Sequence, residues 1–318
     1  MNNFTYDRIS EFILVGFPGF QDKQSKAIIS IIFLIVYIAI LIENIFIIVL
    51  IIVEEKLHKP MYYFICNLAI SGIFMGTVLI PKMLVNFLLN WNTIDFGSCM
   101  TQAGLYSSLF AVQMYFLSAM SYDRVLAVCR PLHYNSIMTP HLLIIIMVIC
   151  WVLPLILHFT VIFFALQLSF CGPNVLPSCH CNHSSIITLS CTNSSANNVL
   201  GLAVVFTNLT AYSVIFVVSY GKILLSVLKI KSPGGHRKAF MTCGAHLCIL
   251  SMTLFTSAFV YICARIKSFS DDARLVGMMV QNLLCPLMNP IIYALMTKEI
   301  KTSIHKIFCK NKTRPLFG

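Results

Sequence analysis

MSYDRVLAVCRPLHY, Met120–Tyr134, sets an acid beside a base, Asp123 and Arg124, straight after a stretch that carries no charge from Cys99 to Tyr122. A second arginine, Arg130, follows six residues on. A charge buried in hydrocarbon is costly and a charge at the boundary is not, so this order reads as a helix leaving lipid for water. An anchor at the interface is the plain alternative for a lone Asp-Arg pair.

The rest of the chain agrees with the lipid reading. Of its 318 residues 58% are hydrophobic and 10% charged, where a soluble domain carries about 25% charged. Seven apolar stretches stand out: 27–53, 61–89, 98–122, 142–166, 198–221, 239–264 and 275–296. Each is long enough to cross about 30 Å of hydrocarbon as a helix of roughly 20 residues. None alternates over about 10 residues as a barrel strand would. Pro81, Pro154, Pro286 and Pro290 lie inside them, which spanning helices tolerate. The expected fold is all-α, a seven-helix bundle, with residues 1–26 outside, 27–296 in the membrane and 297–318 inside. Asp7, Arg8, Glu11, Asp22 and Lys23 precede the first run. That run is too long for a cleaved leader, so it is expected to act as its own insertion signal.

Lysine and arginine set the orientation. Fifteen fall on the side of the carboxyl-terminal tail and seven on the other, which predicts the tail inside. The net charge of +11 then sits mostly against anionic headgroups and an acidic partner, with no call for nucleic acid. Three glycosylation acceptors, Asn3, Asn182 and Asn193, fall on the predicted outer side. A fourth, Asn311, falls inside and is expected bare.

The outer loop 167–197 holds Cys171, Cys179, Cys181 and Cys191, and Cys99 opens the third run on the same face. Five cysteines outside the cell predict two bridges and one thiol left over. The string CHCNH, Cys179–His183, also admits a metal site. After Met296, Ile300, Ile304, Ile307 and Phe308 share a helical face ringed by lysines, the pattern of a short interfacial helix. Cys309 at its end is either palmitoylated or a plain thiol.

The longer string carries more than the pair. MSYDRVLAVCRPLHY closely resembles the MAYDRYVAICxPLxY signature of odorant receptors, within the rhodopsin-like G-protein-coupled receptors. LHKPMYYF (57–64), PKML (81–84), Ser219-Tyr220, KAFMTCGAHL (238–247) and PLMNPIIYALMTKEIK (286–301) resemble that family's other motifs, in its order. The resemblance spans nearly the whole chain. It implies a multi-pass plasma-membrane receptor, with neither catalytic residues nor a cofactor, that binds a small odorant and activates a stimulatory G protein, raising cAMP. It implies bridges Cys99–Cys181 and Cys171–Cys191, leaving Cys179 spare. Asp123 and Arg124 would form the inner lock. Asn289, Pro290 and Tyr293 would form the element that swings in helix seven, Tyr220 would meet that network, and Lys238 would help contact the G protein.

The chain departs from the family in places. Glu43 stands before Asn44 where glycine is usual, and Gly72 and Gln113 replace two midplane carboxylates. Leu254 replaces an aromatic in helix six. A sodium site loses its acids. Glu43 is expected protonated and hydrogen-bonded to Asn44.

Counting 17 residues back from Asp123 at 1.5 Å each reaches Tyr106, about 25 Å up the helix. Tyr106, Ser107, Phe110 and Ala111 share that face. By analogy Asn208, Ser257, Tyr261, Met279 and Asn282 face them. They describe an apolar cavity with a few hydroxyl and amide groups, suited to small neutral molecules. Arg265, one turn above Tyr261, could hold a carboxylate. A transporter would show paired repeats, which are absent, and an enzyme would need clustered catalytic groups, whereas His158 and His246 stand apart in sequence.

Overall fold

A computed structural model describes residues 9–171, 173–228, 233–265 and 269–310. In chain order the elements are β1 (Glu11–Leu14), α1 (Lys23–Val53), α2 (Pro60–Leu89), β2 (Thr93–Asp95), α3 (Phe96–Cys129), α4 (Tyr134–Ile137) and α5 (Pro140–Ala165). Then follow β3 (Val175–Leu176), α6 (His183–Ile187), α7 (Ser195–Leu228), α8 (Pro233–Arg265), α9 (Asp271–Met296) and α10 (Lys298–Lys310). Among the described residues seven helices are long, and they match the seven apolar runs. α3 runs on past Tyr122 to Cys129, and α7 past Gly221 to Leu228.

Helix starts follow side-chain chemistry. Asp22, Asp95, Thr139 and Ser270 each cap a helix by accepting a backbone N–H three residues on, which satisfies a donor the helix cannot.

α3 sits at the centre, packed on α2, α5 and α7, while α1 leans on α2 and α9, and α8 on α9. Position explains composition. α1, α2, α5, α7 and α9 are apolar enough along their length to cross a membrane. α3 is not among them, because its neighbours are protein and it needs no greasy outer stripe. α1 shows the opposite case: Ile28, Ile31, Ile35, Ile38 and Ile42 all face outward, where only lipid could cover them. The core runs through Leu50, Leu68, Leu117, Met120, Ile249 and Tyr293.

Two prolines shape α9. Pro290 has no N–H to give the Pro286 carbonyl four residues earlier. Asn44 supplies the missing donor, with Nδ2 2.9 Å from that oxygen. The same nitrogen donates to the Ile40 carbonyl at 2.7 Å. This overturns the expected Glu43–Asn44 bond, for Asn44 is spent on backbone and Glu43 Oε2 is buried without a partner.

The all-α expectation misses a small sheet on the N-terminal face, in the order β2-β1-β3. β1 runs antiparallel to β2, pairing Phe12 with Ile94, and parallel to β3, pairing Leu14 with Leu176. Phe12 and Leu14 turn inward against Cys99, Ile162, Phe170 and Ile186. Gly16 follows with φ +75°, and a Cβ there would come within 2.7 Å of the Phe87 ring, so only glycine fits. The chain is then tied to α9, where Gly19 N donates to both carboxylate oxygens of Asp272.

At the other face α10 turns Ile300 and Ile304 into the base of the bundle. Among the described side chains its apolar face thus covers protein. Lys306 Nζ meets Glu54 Oε1 at 3.1 Å.

Candidate functional site

The two ends of α3 carry the chemistry. At the C-terminal end Asp123 is buried, and the Arg124 Nε lies 4.0 Å from its Oδ2. That distance is a loose ion pair. The short contact comes from elsewhere: the Tyr134 hydroxyl donates to Asp123 Oδ1 at 2.6 Å. Burial, then the facing carboxylate, holds the Tyr134 hydroxyl above the usual tyrosine range. Tyr134 closes the motif that opened the sequence reading, yet sequence reasoning gave it no role. A tyrosine eleven residues after an acid at a helix end could have suggested the fold-back. Arg124 Nε is buried with no hydrogen-bond partner.

Nearby, Tyr220 of α7 and His246 of α8 share a hydrogen bond of 2.8 Å between the hydroxyl and Nδ1. His246 therefore does not stand alone, as its place in the sequence implied. Tyr293 is wholly buried, with its hydroxyl donating to Met120 Sδ at 3.6 Å. Asn289 and Pro290 lie one turn before it, and the Cys285 thiol reaches Asn289 Oδ1 at 3.7 Å. The side chain of Lys238 lies outside the described residues.

At the N-terminal end Cys99 is bridged to Cys181, and Cys171 to Cys191, as expected, and Cys179 is free and buried. Burial, then Asp272, pushes its thiol up. Among the described residues no three His, Cys, Asp or Glu side chains gather closely enough to hold a metal, so CHCNH does not read as a metal site there. Gln102 of α3 ties the bridged loop to α2: its Nε2 donates to the Val78 carbonyl of α2 and its Oε1 accepts from Cys181 N of the loop, both at 2.9 Å.

That tie holds the preceding residue, His180, down in the bundle. His180 is 0% exposed, with its ring 4.7 Å from that of Tyr106, edge to face. Neither of its ring nitrogens has a partner. Burial pulls its pKa down to about 4, so the imidazole is neutral. Asn282 of α9 is 1% exposed and neither its amide nitrogen nor its oxygen is satisfied. It lies close enough to act on the Tyr106 hydroxyl. Gln113, two turns along α3 from Tyr106, has an unpartnered Nε2 as well. Buried polar atoms are nearly always hydrogen-bonded, so the His180 and Asn282 atoms on either side of Tyr106 stand out.

The other expected ligand residues divide. Phe110 packs beside Tyr106 against Leu109 and Leu283, and Ala111 is buried. The Ser107 hydroxyl is turned back on the Ala103 carbonyl at 2.7 Å. Asn208 is committed to a bridge across helices, accepting from the Tyr115 hydroxyl at 3.1 Å and donating to His158 Nε2 at 3.4 Å. His158 is thus not isolated either. Ser257 accepts from Gln281 Nε2 at 3.0 Å. Met279 packs under the cap with Phe17, Phe87 and Cys179. The side chains of Tyr261 and Arg265 lie outside the described residues.

Asn182, one of the expected glycan acceptors, is tied into the loop. It is 7% exposed, its Oδ1 caps α6 by accepting from Ser185 N, and its Nδ2 donates to Ser178 Oγ. A glycan on that nitrogen would leave the Oδ1 cap in place and compete only with the Ser178 tie. Asn193 is exposed, and Asn3 lies outside the described residues.

The sequence model of a family described as olfactory receptor matches residues 33–311. Olfactory receptor 11H7 of Homo sapiens is 35% identical over 314 residues, covering 97% of this chain and 98% of its own. Olfactory receptor 6B9 of Mus musculus is 37% identical over 306 residues, covering 96% and 95%. In shape, a crystal structure of squid rhodopsin superposes with a TM-score of 0.75 at 17% identity, covering 93% of this chain and 84% of that one.

Proposed function

We propose, on the premise that the chain belongs to the olfactory receptor family, that an odorant bound between α3, α7, α8 and α9 opens the opposite end to a stimulatory G protein and raises cAMP. The receptor is a multi-pass protein of the plasma membrane. We place its amino terminus outside, where the fewer lysines and arginines lie.

The observation that carries this reading is the contrast along α3. Beside its N-terminal half lie unsatisfied buried atoms of His180 from the loop and Asn282 from α9. Its inner end is held shut by Tyr134 on Asp123 and by Tyr220 on His246. A ligand shifts such a bundle only by binding one arrangement more tightly than the other. Satisfying the outer atoms is the gain, and parting the inner contacts is the cost. Asn289, Pro290 and Tyr293 lie where α9 must yield. Arg124, with Lys238 on the adjoining helix, would then meet the G protein.

The test is cAMP in cells expressing the chain with a stimulatory G protein, over a broad odorant panel, with surface staining to prove delivery. A ligand-dependent rise supports the proposal. A receptor present at the surface that signals only through other G-protein classes refutes the stimulatory assignment.

A further inference from the structure

We propose that His180 and Asn282 form the polar end of the ligand site and select neutral small molecules carrying one hydroxyl or carbonyl group. The proposal rests on the reading above that the ligand occupies the outer half of the bundle. His180 comes from the loop, and the Cys99–Cys181 bridge and Gln102 tie the loop to α3 beside it.

The chemistry follows from what these side chains offer. A neutral imidazole has one donor and one acceptor, and a carboxamide has two donors and one acceptor oxygen. All four of these atoms are buried, and apart from the Tyr106 hydroxyl beside the Asn282 amide none of them has a polar neighbour within bonding geometry. The Tyr106 ring stands edge-on to the imidazole, and its hydroxyl lies by the amide, so the two groups flank one aromatic wall. A ligand carbonyl can accept from both. A ligand hydroxyl can accept from one and donate to the other.

Charge is disfavoured on the same grounds. Among the described residues burial alone acts on His180, with no charged neighbour. A carboxylate placed there would be desolvated without a cation to meet it. An alkane would leave all four atoms as they are. Sites built to hydrogen-bond a substrate reject the analogue lacking that group strongly, since their own groups are then left unpaired.

The test needs no G protein. The full-length receptor, purified in lipid nanodiscs, is melted with primary alcohols from butanol to decanol, the matched aldehydes, the matched carboxylates and the matched alkanes. A ligand that binds only the folded state raises the melting temperature with concentration. Alcohols or aldehydes of the fitting length should do so, with carboxylates and alkanes at least tenfold weaker. His180→Phe and Asn282→Leu should each lower apparent affinity about tenfold, the loss of one good hydrogen bond. His180→Gln, which keeps a donor and an acceptor, should recover part of it. The ligand-free melting point of each variant shows whether it folds. Alkanes or carboxylates that bind as well as alcohols would overturn the proposal, as would affinity that survives both apolar variants or no shift with any probe. A clear shift beside a silent G protein would instead count against the receptor reading and leave this one standing.

Discussion

The N-terminal and C-terminal ends of α3, placed outside and inside in the proposal above, are held together by different means. Outside, a rigid frame of two bridges and a three-stranded sheet surrounds side chains that bond to nothing. Inside, no bridge crosses the described residues, and single contacts hold the closed shape: a phenol on a carboxylate, a phenol on an imidazole and a lysine on a glutamate, while Arg124 Nε and His246 Nε2 are left without partners. The first end is built to stay and be filled. The second is built to be parted, since each of its contacts is worth about a kcal/mol or so.

Removing the frame should do the most damage. Cys181→Ser frees the loop from α3 and lets His180 leave the bundle. Loss of a native disulfide costs about 2–5 kcal/mol. The variant should melt well below the parent and fail to reach the surface. Normal surface staining with an unchanged melting point would show that Gln102 and the sheet suffice.

Acid should loosen the same end by a smaller amount. The His180 pKa is about 4 in the fold against 6.5 when free. A histidine with a lowered folded value takes up its proton more readily unfolded, so its stability contribution is complete above about pH 6.5 and is lost as pH falls toward 4. At pH 5 the loss is about 2 kcal/mol, from roughly 1.5 pK units at 1.36 kcal/mol each. His183 adds to the slope in the same direction, because burial lowers it too. His180→Phe should therefore flatten the melting-temperature profile between pH 6.5 and 5 without abolishing it. An unchanged slope would mean the ring is not where it is drawn.

Breaking the inner end should raise activity instead of stability. Tyr134→Phe leaves the buried Asp123 carboxylate without its short hydrogen bond, a penalty of about 1–2 kcal/mol paid only in the closed state. Ligand-independent cAMP should rise by about tenfold, at unchanged surface level. A basal signal that stays flat would assign the closure to other contacts, Tyr220–His246 first.

The two ends also differ in how far the sequence discloses them. Spans, bridges and the Asp-Arg pair are local: apolar runs of fixed length, cysteine counts and a motif. Partnerships are not local. Nothing near Tyr220 points to His246, 26 residues away on another helix, and Asn208 looked like a ligand contact until Tyr115 and His158 claimed it. The sheet was missed because β1 and β2 are four and three residues long, too short for alternation to register. His180 was the closest miss. A residue beside a cysteine bridged to a helix must lie near that helix, and CHC says so once the bridge is assigned.

The weakest tie bounds the comparison from below. Lys306 on α10 pairs with Glu54, but its side chain is 51% exposed. Water and salt screen such a pair, and a half-open ion pair of this kind is worth under about 1 kcal/mol. Lys306→Ala should shift the melting temperature by a degree or less and change basal cAMP less than twofold. The reason lies in the packing: Ile300 and Ile304 already seat α10 in the base of the bundle, so the charge pair adds little to its position. A change as large as that from Tyr134→Phe would place Lys306 among the contacts that hold the inner end closed. It would then be geometry at the mouth of the bundle, and not burial, that sets the strength of the latch.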